Sequence, residues 1–238
     1  MKKAVIIGAS SGIGFELAKI LSSNDYVLAL ASRKVDKMKE LQGLLPNESV
    51  VQYLDLLDHN SIEKNLESIV KKLKDIDLVV LSSGVGYLNE ELKWNIEEET
   101  IDVNIIGTTK TINYFVNYFT AKGSGHIAAI SSIASMKGSW IAPAYNASKA
   151  FLSNYLEGVR CRFIKMNLPV YVTDIKPGLV NTDMAKGEGL FWVMPVEKTS
   201  KQIFKAIRLK KKTAFVTKRW KLIAYILKIM PDWIYYKM

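Results

Sequence analysis

The sequence has one cysteine, Cys161, and two histidines, His59 and His126, among its 238 residues. A single cysteine excludes an internal disulfide framework and a cysteine-based metal cluster. The two histidines lie far apart in the sequence, so a multi-histidine zinc site is not expected, and we predict no metal. This composition is typical of a reduced, cytoplasmic protein.

Long uncharged apolar segments are also missing. The N-terminal apolar run ends at Gly8, which is too short for a signal peptide. A transmembrane helix needs about 20 apolar residues, and the closest segment, residues 222–236, contains Lys228, Pro231 and Asp232. Because apolar residues still make up 49% of the chain, we expect one globular domain rather than disorder.

Positive charge is concentrated at one end of a chain whose net charge is +10. From Lys198 onward there are 12 basic residues and one acid, Asp232, which leaves 21 basic and 22 acidic residues in the first 197. A nearly neutral body with a basic C-terminus carries no recognised nucleic-acid motif. We therefore predict no nucleic-acid partner.

Short apolar runs alternate with longer segments of helical periodicity. Their nearly continuous apolar character is typical of parallel strands covered on both faces. We predict strands at Ala4–Ile7, Tyr26–Ala31, Val50–Leu54, Leu78–Leu81, Ile127–Ile130, Val170–Ile175 and Thr213–Val216. The predicted helices are Ile13–Ser22, Val35–Leu44, Ser61–Leu73, Glu97–Phe119, Lys149–Lys165 and Glu197–Leu209. This alternation predicts an α/β fold with a doubly wound, Rossmann-type parallel sheet and helices on both faces.

A glycine-rich segment, Gly8-Ala-Ser-Ser-Gly12-Ile-Gly14, follows the first predicted strand and opens a helix. Such a turn lets backbone amides approach a pyrophosphate, and the helix dipole favours the anion. The spacing G-x-x-x-G-x-G differs from the usual G-x-G-x-x-G, and three glycines could also form a tight turn alone. The position between strand and helix favours nucleotide binding.

The end of the second predicted strand bears on which nucleotide is bound. An acidic residue there would accept hydrogen bonds from the adenosine ribose and repel a 2′-phosphate. This chain has Ser32 and Arg33 instead. A guanidinium can bind a phosphate bidentately, although the pair could also begin a solvated helix. We predict NADP(H) rather than NAD(H).

Tyr145 and Lys149 are one helical turn apart on the same face. A free phenol has a pKa of about 10, and a neighbouring cation lowers it toward the range useful for proton transfer. Most Tyr-x-x-x-Lys pairs are ordinary surface residues. Other motifs favour a functional role for this pair. They are Ser131-Ser132 at a strand end, the glycine-rich loop upstream and Pro177-Gly178 downstream.

Taken in order, these motifs resemble those of the classical short-chain dehydrogenase/reductase family. The resemblance extends to about residue 217 and is carried by Gly8, Gly12, Gly14, Asp55, Ser82-Ser83-Gly84, Asn104, Ser132, Tyr145, Lys149 and Pro177-Gly178. The chain departs from the family at Ile7, where Thr is usual, and at Leu81-Ser82-Ser83-Gly84, where Asn-Asn-Ala-Gly is usual. Both are supporting backbone positions, so they concern loop rigidity more than chemistry.

The resemblance implies catalytic roles for Asn104, Ser132, Tyr145 and Lys149. Tyr145 would protonate the carbonyl oxygen in reduction, or accept the alcohol proton in oxidation, while Ser132 would orient the same oxygen. Lys149 would bind the nicotinamide ribose and lower the phenol pKa. Asn104 would hold a water that links Lys149 to solvent, unless it only stabilises its helix. The implied cofactor contacts are Gly8, Ser10, Ser11, Gly12, Ile13, Gly14, Ser32, Arg33, Asp55, Leu56, Ser83, Gly84, Tyr145, Lys149, Pro177, Gly178, Val180 and Thr182.

The implied activity is an NADP(H)-dependent interconversion of a carbonyl and an alcohol on a hydrophobic small molecule. Candidates for the substrate cleft are Trp140, Met184, Phe191, Trp192 and Met194, although each could be ordinary packing. The alternative is a non-catalytic NADP(H)-binding sensor or scaffold on the same fold. The resemblance also implies a homodimer or homotetramer formed through the helices after Glu97 and Ala147.

We expect residues 1–217 to form the catalytic, NADP-binding domain and residues 218–238 to form a C-terminal extension. Pro231 is predicted to divide the extension into two short amphipathic helices. Their predicted apolar face comprises Leu222, Ile223, Ile226, Leu227, Met230, Trp233 and Ile234. Basic residues beside such a face are typical of an interfacial membrane helix. Packing on a partner subunit or over the substrate cleft is the alternative.

Overall fold

A seven-stranded parallel sheet forms the centre of the molecule, which is described as a computed structural model for residues 1–182, 184 and 191–237. The strand order is β3-β2-β1-β4-β5-β6-β7, and every neighbouring pair is parallel. The strands are β1 (Lys2–Ile7), β2 (Tyr26–Ser32), β3 (Ser49–Tyr53), β4 (Leu78–Leu81), β5 (Gly125–Ile130), β6 (Val170–Pro177) and β7 (Thr213–Val216). The predicted fold class and all seven strands are confirmed.

Helices cover both faces of the sheet. They are α1 (Gly12–Ser22), α2 (Val35–Gln42), α3 (Ile62–Leu73), α4 (Trp94–Ile101), α5 (Thr108–Lys122), α6 (Pro143–Lys165), α7 (Val196–Arg208), α8 (Lys218–Ile229) and α9 (Asp232–Tyr235). A short 3-10 helix, Ile133–Met136, follows β5. α6 begins at Pro143 rather than at Lys149, because proline in the first turn lacks only an N–H that would have no helical partner.

The predicted single helix over Glu97–Phe119 is interrupted. A π-helical segment, Asp102–Gly107, lies between α4 and α5 and carries Asn104. Here the helix passes very close to the chain after β3, since a β-carbon on Gly107 would lie 2.2 Å from the Leu56 carbonyl oxygen. Hydrophobic periodicity does not reveal such a local widening.

Two apolar cores lie on opposite faces of the sheet, as the alternation of side chains along a strand requires. In β1, Val5 and Ile7 belong to one core, together with Phe115 of α5. Ala4 and Ile6 belong to the other, together with Leu17 of α1. The strand ends therefore lie between two packed apolar cores, which hold them in place.

The C-terminal extension forms two helices separated by Pro231. α8 packs on the body through Trp220 and Ala224, which are 3% and 0% exposed. The residues of the predicted apolar face differ in burial: Leu222 and Ile226 are exposed, whereas Ile223 and Leu227 are half-buried. No helix in the described residues is long and apolar enough to cross a membrane. Part of the predicted Gly178–Pro195 loop, at 183 and 185–190, lies outside the described residues.

Candidate active site

The candidate site lies at the carboxyl edge of the sheet, between the loops that follow β1 and β4. These loops are adjacent at the sheet and then lead to helices on opposite faces. This is the position at which doubly wound sheets bind ligands. The two loops meet closely, since a β-carbon on Gly8 would lie 2.6 Å from the Ser83 backbone nitrogen. The predicted residues Gly8, Ser83 and Gly84 are therefore brought together.

The glycine-rich loop has a shape that larger residues would destroy. Gly8 and Gly12 have φ angles of +89° and +56°, in the left-handed region. A β-carbon on Gly14 would lie 2.1 Å from the Gly8 carbonyl oxygen. Ser10, Ser11 and Ile13 complete the turn into α1. This open cradle at a helix N-terminus fits a pyrophosphate.

The residues predicted to meet the adenosine follow β2 and β3. The Ser32 hydroxyl accepts the Lys34 backbone N–H at 2.9 Å, and Arg33 is exposed. Asp55 accepts the Leu57 N–H at 3.0 Å, while Leu56 is 5% exposed. Ser32 and Asp55 thus stabilise the turns in which they lie. The residue directly after β2 is the cation Arg33 rather than an acid.

Asn104 joins the loop after β4 to α6. Its side-chain oxygen accepts the Val85 N–H at 2.9 Å, and its amide nitrogen donates to the Val85 carbonyl oxygen at 2.8 Å and to the Ser148 hydroxyl at 3.1 Å. The side chain is 3% exposed. Asn104 Oδ1 and the Lys149 ammonium would both lie within 3.2 Å of a β-carbon on Gly84, and the water predicted for Asn104 stays a prediction.

The Ser132 hydroxyl lies near the Tyr145 phenol, and the Lys149 ammonium lies 5.6 Å from the centre of the Tyr145 ring. Burial raises the pKa of Tyr145, and the nearby Ser132 hydroxyl opposes that change. Burial also lowers the pKa of Lys149 to about 8. The expected lowering of the phenol pKa by Lys149 is not found: burial sets the direction of the shift, and the Lys149 ammonium donates to the Ile130 carbonyl oxygen at 3.2 Å.

The loop after β6 runs alongside the glycine-rich turn. The Gly178 N–H donates to the Val216 carbonyl oxygen at 3.0 Å, directly after Pro177. Val180 forms a bridge with Met194. The Thr182 methyl lies 3.2 Å from the position of a β-carbon on Gly12. Thr182 thus lies beside the cradle, whereas the contacts of Gly178 and Val180 are with Val216 and Met194.

Four of the five predicted substrate residues lie near the reactive groups or the loop beside them, Met194 through its bridge with Val180. Gly86 is flanked by the Tyr145 ring and by the Met184 sulfur, which would be 3.3 Å from a β-carbon there. Phe191 and Trp192 pack on Trp220, with ring centres 5.4 and 6.4 Å apart. Trp140 is 70% exposed and is not part of this aromatic cluster.

The comparisons with known proteins cover most of the chain. The sequence pattern described as short chain dehydrogenase matches residues 2–190. The chain belongs to this family. An uncharacterized oxidoreductase of Mycobacterium tuberculosis is 30% identical over 192 residues, covering 77% of this chain and 75% of that protein. One from Staphylococcus epidermidis is 30% identical over 188 residues, covering 78% and 81%.

Solved structures of short-chain dehydrogenases share the fold. An alcohol dehydrogenase from Thermococcus sibiricus complexed with 5-hydroxy-NADP has a TM-score of 0.78 and 26% identity, covering 91% of this chain and 96% of that chain. An enzyme from Burkholderia phymatum in complex with NAD has a TM-score of 0.86 at 17% identity, covering 94% and 92%. The predicted family and enzyme class are confirmed: this is an NAD(P)-dependent dehydrogenase/reductase.

Sequence reasoning missed several residues of the short-chain dehydrogenase site. Val85, Gly86 and Ser148 contact the predicted tetrad but carry no motif of their own. Trp220 lies beyond the predicted catalytic domain, yet it packs on Gly178. Its burial could not be anticipated, because the apolar residues of α8 do not define a single face.

Proposed function

We propose that this short-chain dehydrogenase reduces a hydrophobic carbonyl compound, or oxidises the corresponding alcohol, with NADP(H). The observation that carries the proposal is the convergence of the Tyr145 phenol, the Ser132 hydroxyl and the buried Lys149 ammonium, which lies 5.6 Å from the Tyr145 ring. Two hydroxyls that meet in this way can bind one substrate oxygen together. The apolar side chain of Met184 beside Tyr145 favours a hydrophobic substrate.

The dinucleotide supplies or accepts the hydride. The Ser132 hydroxyl donates a hydrogen bond to the carbonyl oxygen, and the Tyr145 hydroxyl transfers its proton to the same oxygen. Because burial raises the pKa of Tyr145, the phenol is protonated near neutral pH, as an acid in the reductive direction must be. Lys149, with a pKa of about 8, retains its charge below that pH and would bind the ribose.

The residues after β2 support NADP(H) over NAD(H). Arg33 is exposed and stands beside the Ser32 hydroxyl, so its guanidinium is able to reach a 2′-phosphate. Among similar structures, the 26% identical alcohol dehydrogenase was solved with 5-hydroxy-NADP. Arg33 and Ser32 would hold the phosphate, while Gly8, Gly12 and Gly14 would receive the pyrophosphate.

The direct test is the Tyr145→Phe variant. Wild-type protein is screened for NADPH consumption with a panel of hydrophobic ketones and aldehydes, and the best substrate is then given to the variant. We expect Tyr145→Phe to lose turnover while its Kd for NADPH, measured by cofactor fluorescence, stays nearly unchanged. Equal activity in the variant contradicts the mechanism. Binding of NADPH by wild type without turnover on any compound favours the sensor or scaffold alternative.

We further propose that residues 218–238 form an extension that contacts an anionic membrane surface. The outer face of α8, formed by Leu222, Tyr225, Ile226 and Ile229, is 44–78% exposed. Spacings of three and four residues place these side chains on one stripe. The opposite face already packs on the body of this chain, so the outer face needs another partner.

Charge favours a lipid surface as that partner. The exposed side chains of Arg219, Lys221 and Lys228 flank the outer face of α8. The only acid beyond residue 197 is Asp232, which pairs with Lys137 at 2.6 Å. Cations beside an apolar stripe attract anionic headgroups while the stripe enters the interface.

Flotation with vesicles of phosphatidylcholine, with and without phosphatidylglycerol, tests this contact. We expect wild type to float with the anionic vesicles, and Leu222→Asp with Ile229→Asp to remain unbound. The matched control, Leu44→Asp with Ile164→Asp, removes similarly exposed apolar residues elsewhere and adds the same charge. Equal flotation of the two variants contradicts the proposal. Loss of self-association in the α8 variant without vesicles assigns the face to a second copy.

We also propose that the chain forms a homodimer or homotetramer through α5 and α6. A groove beside α5 is lined by Ile105, Ile106 and Tyr114, by Phe151 of α6, and by polar residues that include Asn60, Glu63 and Asn113. Phe151 is 39% exposed and stacks on Tyr155, with ring centres 5.9 Å apart. This apolar surface supports an isologous helix-to-helix contact between two copies.

A further inference from the structure

A buried ion pair lies below the reactive groups. Asp174 and Lys176 project from the same face of β6 and are 3% and 7% exposed. The Lys176 ammonium lies 3.0 Å from one carboxylate oxygen of Asp174. Neither residue belongs to the predicted catalytic or cofactor set, and burial of two charges is costly unless they are closely paired and hydrogen-bonded.

Three serines complete this cluster. The Ser131 hydroxyl donates to one oxygen of the Asp174 carboxylate, and the Ser153 hydroxyl donates to the other at 2.5 Å. Lys176 donates to the Ser135 hydroxyl at 2.7 Å and to Ser153. Both charges are therefore fully surrounded by hydrogen-bonding partners, as a stable buried pair requires.

The serines come from the elements that carry the reactive residues. Ser131 directly precedes Ser132 at the end of β5, and Ser153 follows Lys149 by one turn of α6. Ser135 lies in the 3-10 helix, whose start is capped by Ser132. Through Asp174 and Lys176, β6 thus holds the end of β5, the 3-10 helix and α6 in one arrangement.

The charge of Asp174 also acts on Lys149. Among the described elements packed here, α6 contributes Tyr145 and Lys149, while β5 and β7 contribute Ser131 and Thr213, which do not titrate near neutral pH. Lys137, just after the 3-10 helix, is paired with Asp232. Burial lowers the pKa of Lys149 to about 8, and the Asp174 carboxylate opposes that effect.

We propose that Asp174 is a positioning residue: its carboxylate aligns Ser132 with Tyr145 and keeps the buried Lys149 ammonium charged, while Lys176 moderates that effect. The proposal rests on the proposed function, because a charged Lys149 matters only if Lys149 binds the cofactor ribose in that reaction. A purely structural pair would affect Lys149 differently, since loosening either partner would admit water and bring its pKa toward that of an ordinary lysine.

The test follows the pKa of Lys149 by NMR in protein labelled with 13C at the lysine Cε, without cofactor or substrate. Lys149→Met identifies the signal. We expect Asp174→Asn to lower the Lys149 pKa and Lys176→Met to raise it, each by about one unit. If Asp174→Asn does not fold, the Asp174→Asn–Lys176→Met double variant replaces both charges, and its Lys149 pKa should lie below that of Lys176→Met.

Shifts in the same direction, or no shift, overturn the proposal. In active protein, the alkaline limb of the kcat/KM profile should move with the Lys149 pKa, to lower pH in Asp174→Asn and to higher pH in Lys176→Met. A different experiment decides the proposed function, which is contradicted if Tyr145→Phe retains activity. Its failure leaves the NMR result unaffected.

Discussion

Trp220 lies so close to Gly178 that a β-carbon on residue 178 would come 2.1 Å from the indole ring. Gly178 belongs to the loop after β6, whereas Trp220 belongs to the first turn of α8. The C-terminal extension is therefore fastened to a loop beside the cofactor cradle. Phe191 and Trp192 pack on the other parts of the same indole.

Gly178→Ala is expected to destabilise the protein, because the new methyl group must displace a buried ring. Overpacking of this kind costs about 1–3 kcal/mol. Gly158→Ala is the control: Gly158 lies in α6, is exposed, and has nothing within 4 Å of the added methyl. It should instead stabilise the chain by about 0.5–1 kcal/mol through helix propensity. Urea denaturation measures both, and a stable Gly178→Ala variant would show that Trp220 moves freely.

The sequence predicts the sheet well because the apolar runs are short, continuous and separated by helical periods. All seven runs, from Ala4–Ile7 to Thr213–Val216, lie within or beside observed strands. The loop glycines could also be anticipated, since Gly8 and Gly12 adopt angles that other residues rarely accept. Local physical rules are sufficient for these features.

What the sequence could not supply depends on contacts between distant segments. The π-helical segment around Asn104 arises where Gly107 meets Leu56, and no periodicity reports that approach. Asp174 and Lys176 occupy alternate positions of β6, a pattern typical of an exposed strand face, yet α6 covers this face. Likewise, the burial of Trp220 depends on the path of the chain after β7.

Arg33 should determine the choice between the two nicotinamide dinucleotides. Replacing it by Gln removes a charged partner of the 2′-phosphate, so Arg33→Gln should weaken NADPH binding about 10- to 100-fold. NADH, which lacks that phosphate, should bind with nearly the same Kd. Lys37→Gln, with the same charge change on α2, is the control. Fluorescence titration gives both constants, and equal weakening of NADPH and NADH in Arg33→Gln would remove the assignment.

Phe151 should matter for assembly because it is the residue of α6 that lines the groove beside α5. Phe151→Glu places a charge in the proposed interface and should convert the oligomer to monomers in sedimentation velocity runs. Phe191→Glu is the control, since Phe191 is also exposed but belongs to the aromatic cluster beside the site. An unchanged sedimentation coefficient for Phe151→Glu means that the copies meet elsewhere or that the wild type is already monomeric.

His126 should make the protein sensitive to mild acid. The ring is 8% exposed, lies 2.8 Å from the Thr173 hydroxyl, and burial lowers its pKa from 6.5 to about 4, with a smaller contribution from Lys210. Between these values the unfolded chain binds the proton and the folded chain does not, so stability is full above pH 6.5 and falls as the pH drops toward 4. The shift corresponds to about 3 kcal/mol.

His126→Gln keeps an amide able to reach Thr173 but cannot titrate. Its free energy of unfolding, from urea denaturation at several pH values, should therefore fall less steeply than that of wild type between pH 6.5 and 4. His59→Gln makes the same substitution at the other histidine and serves as the comparison. Because paired carboxylates add their own acid dependence to every variant, only the difference between the two slopes reports His126. Parallel curves for His126→Gln and wild type would mean that the buried ring is protonated without cost to the fold.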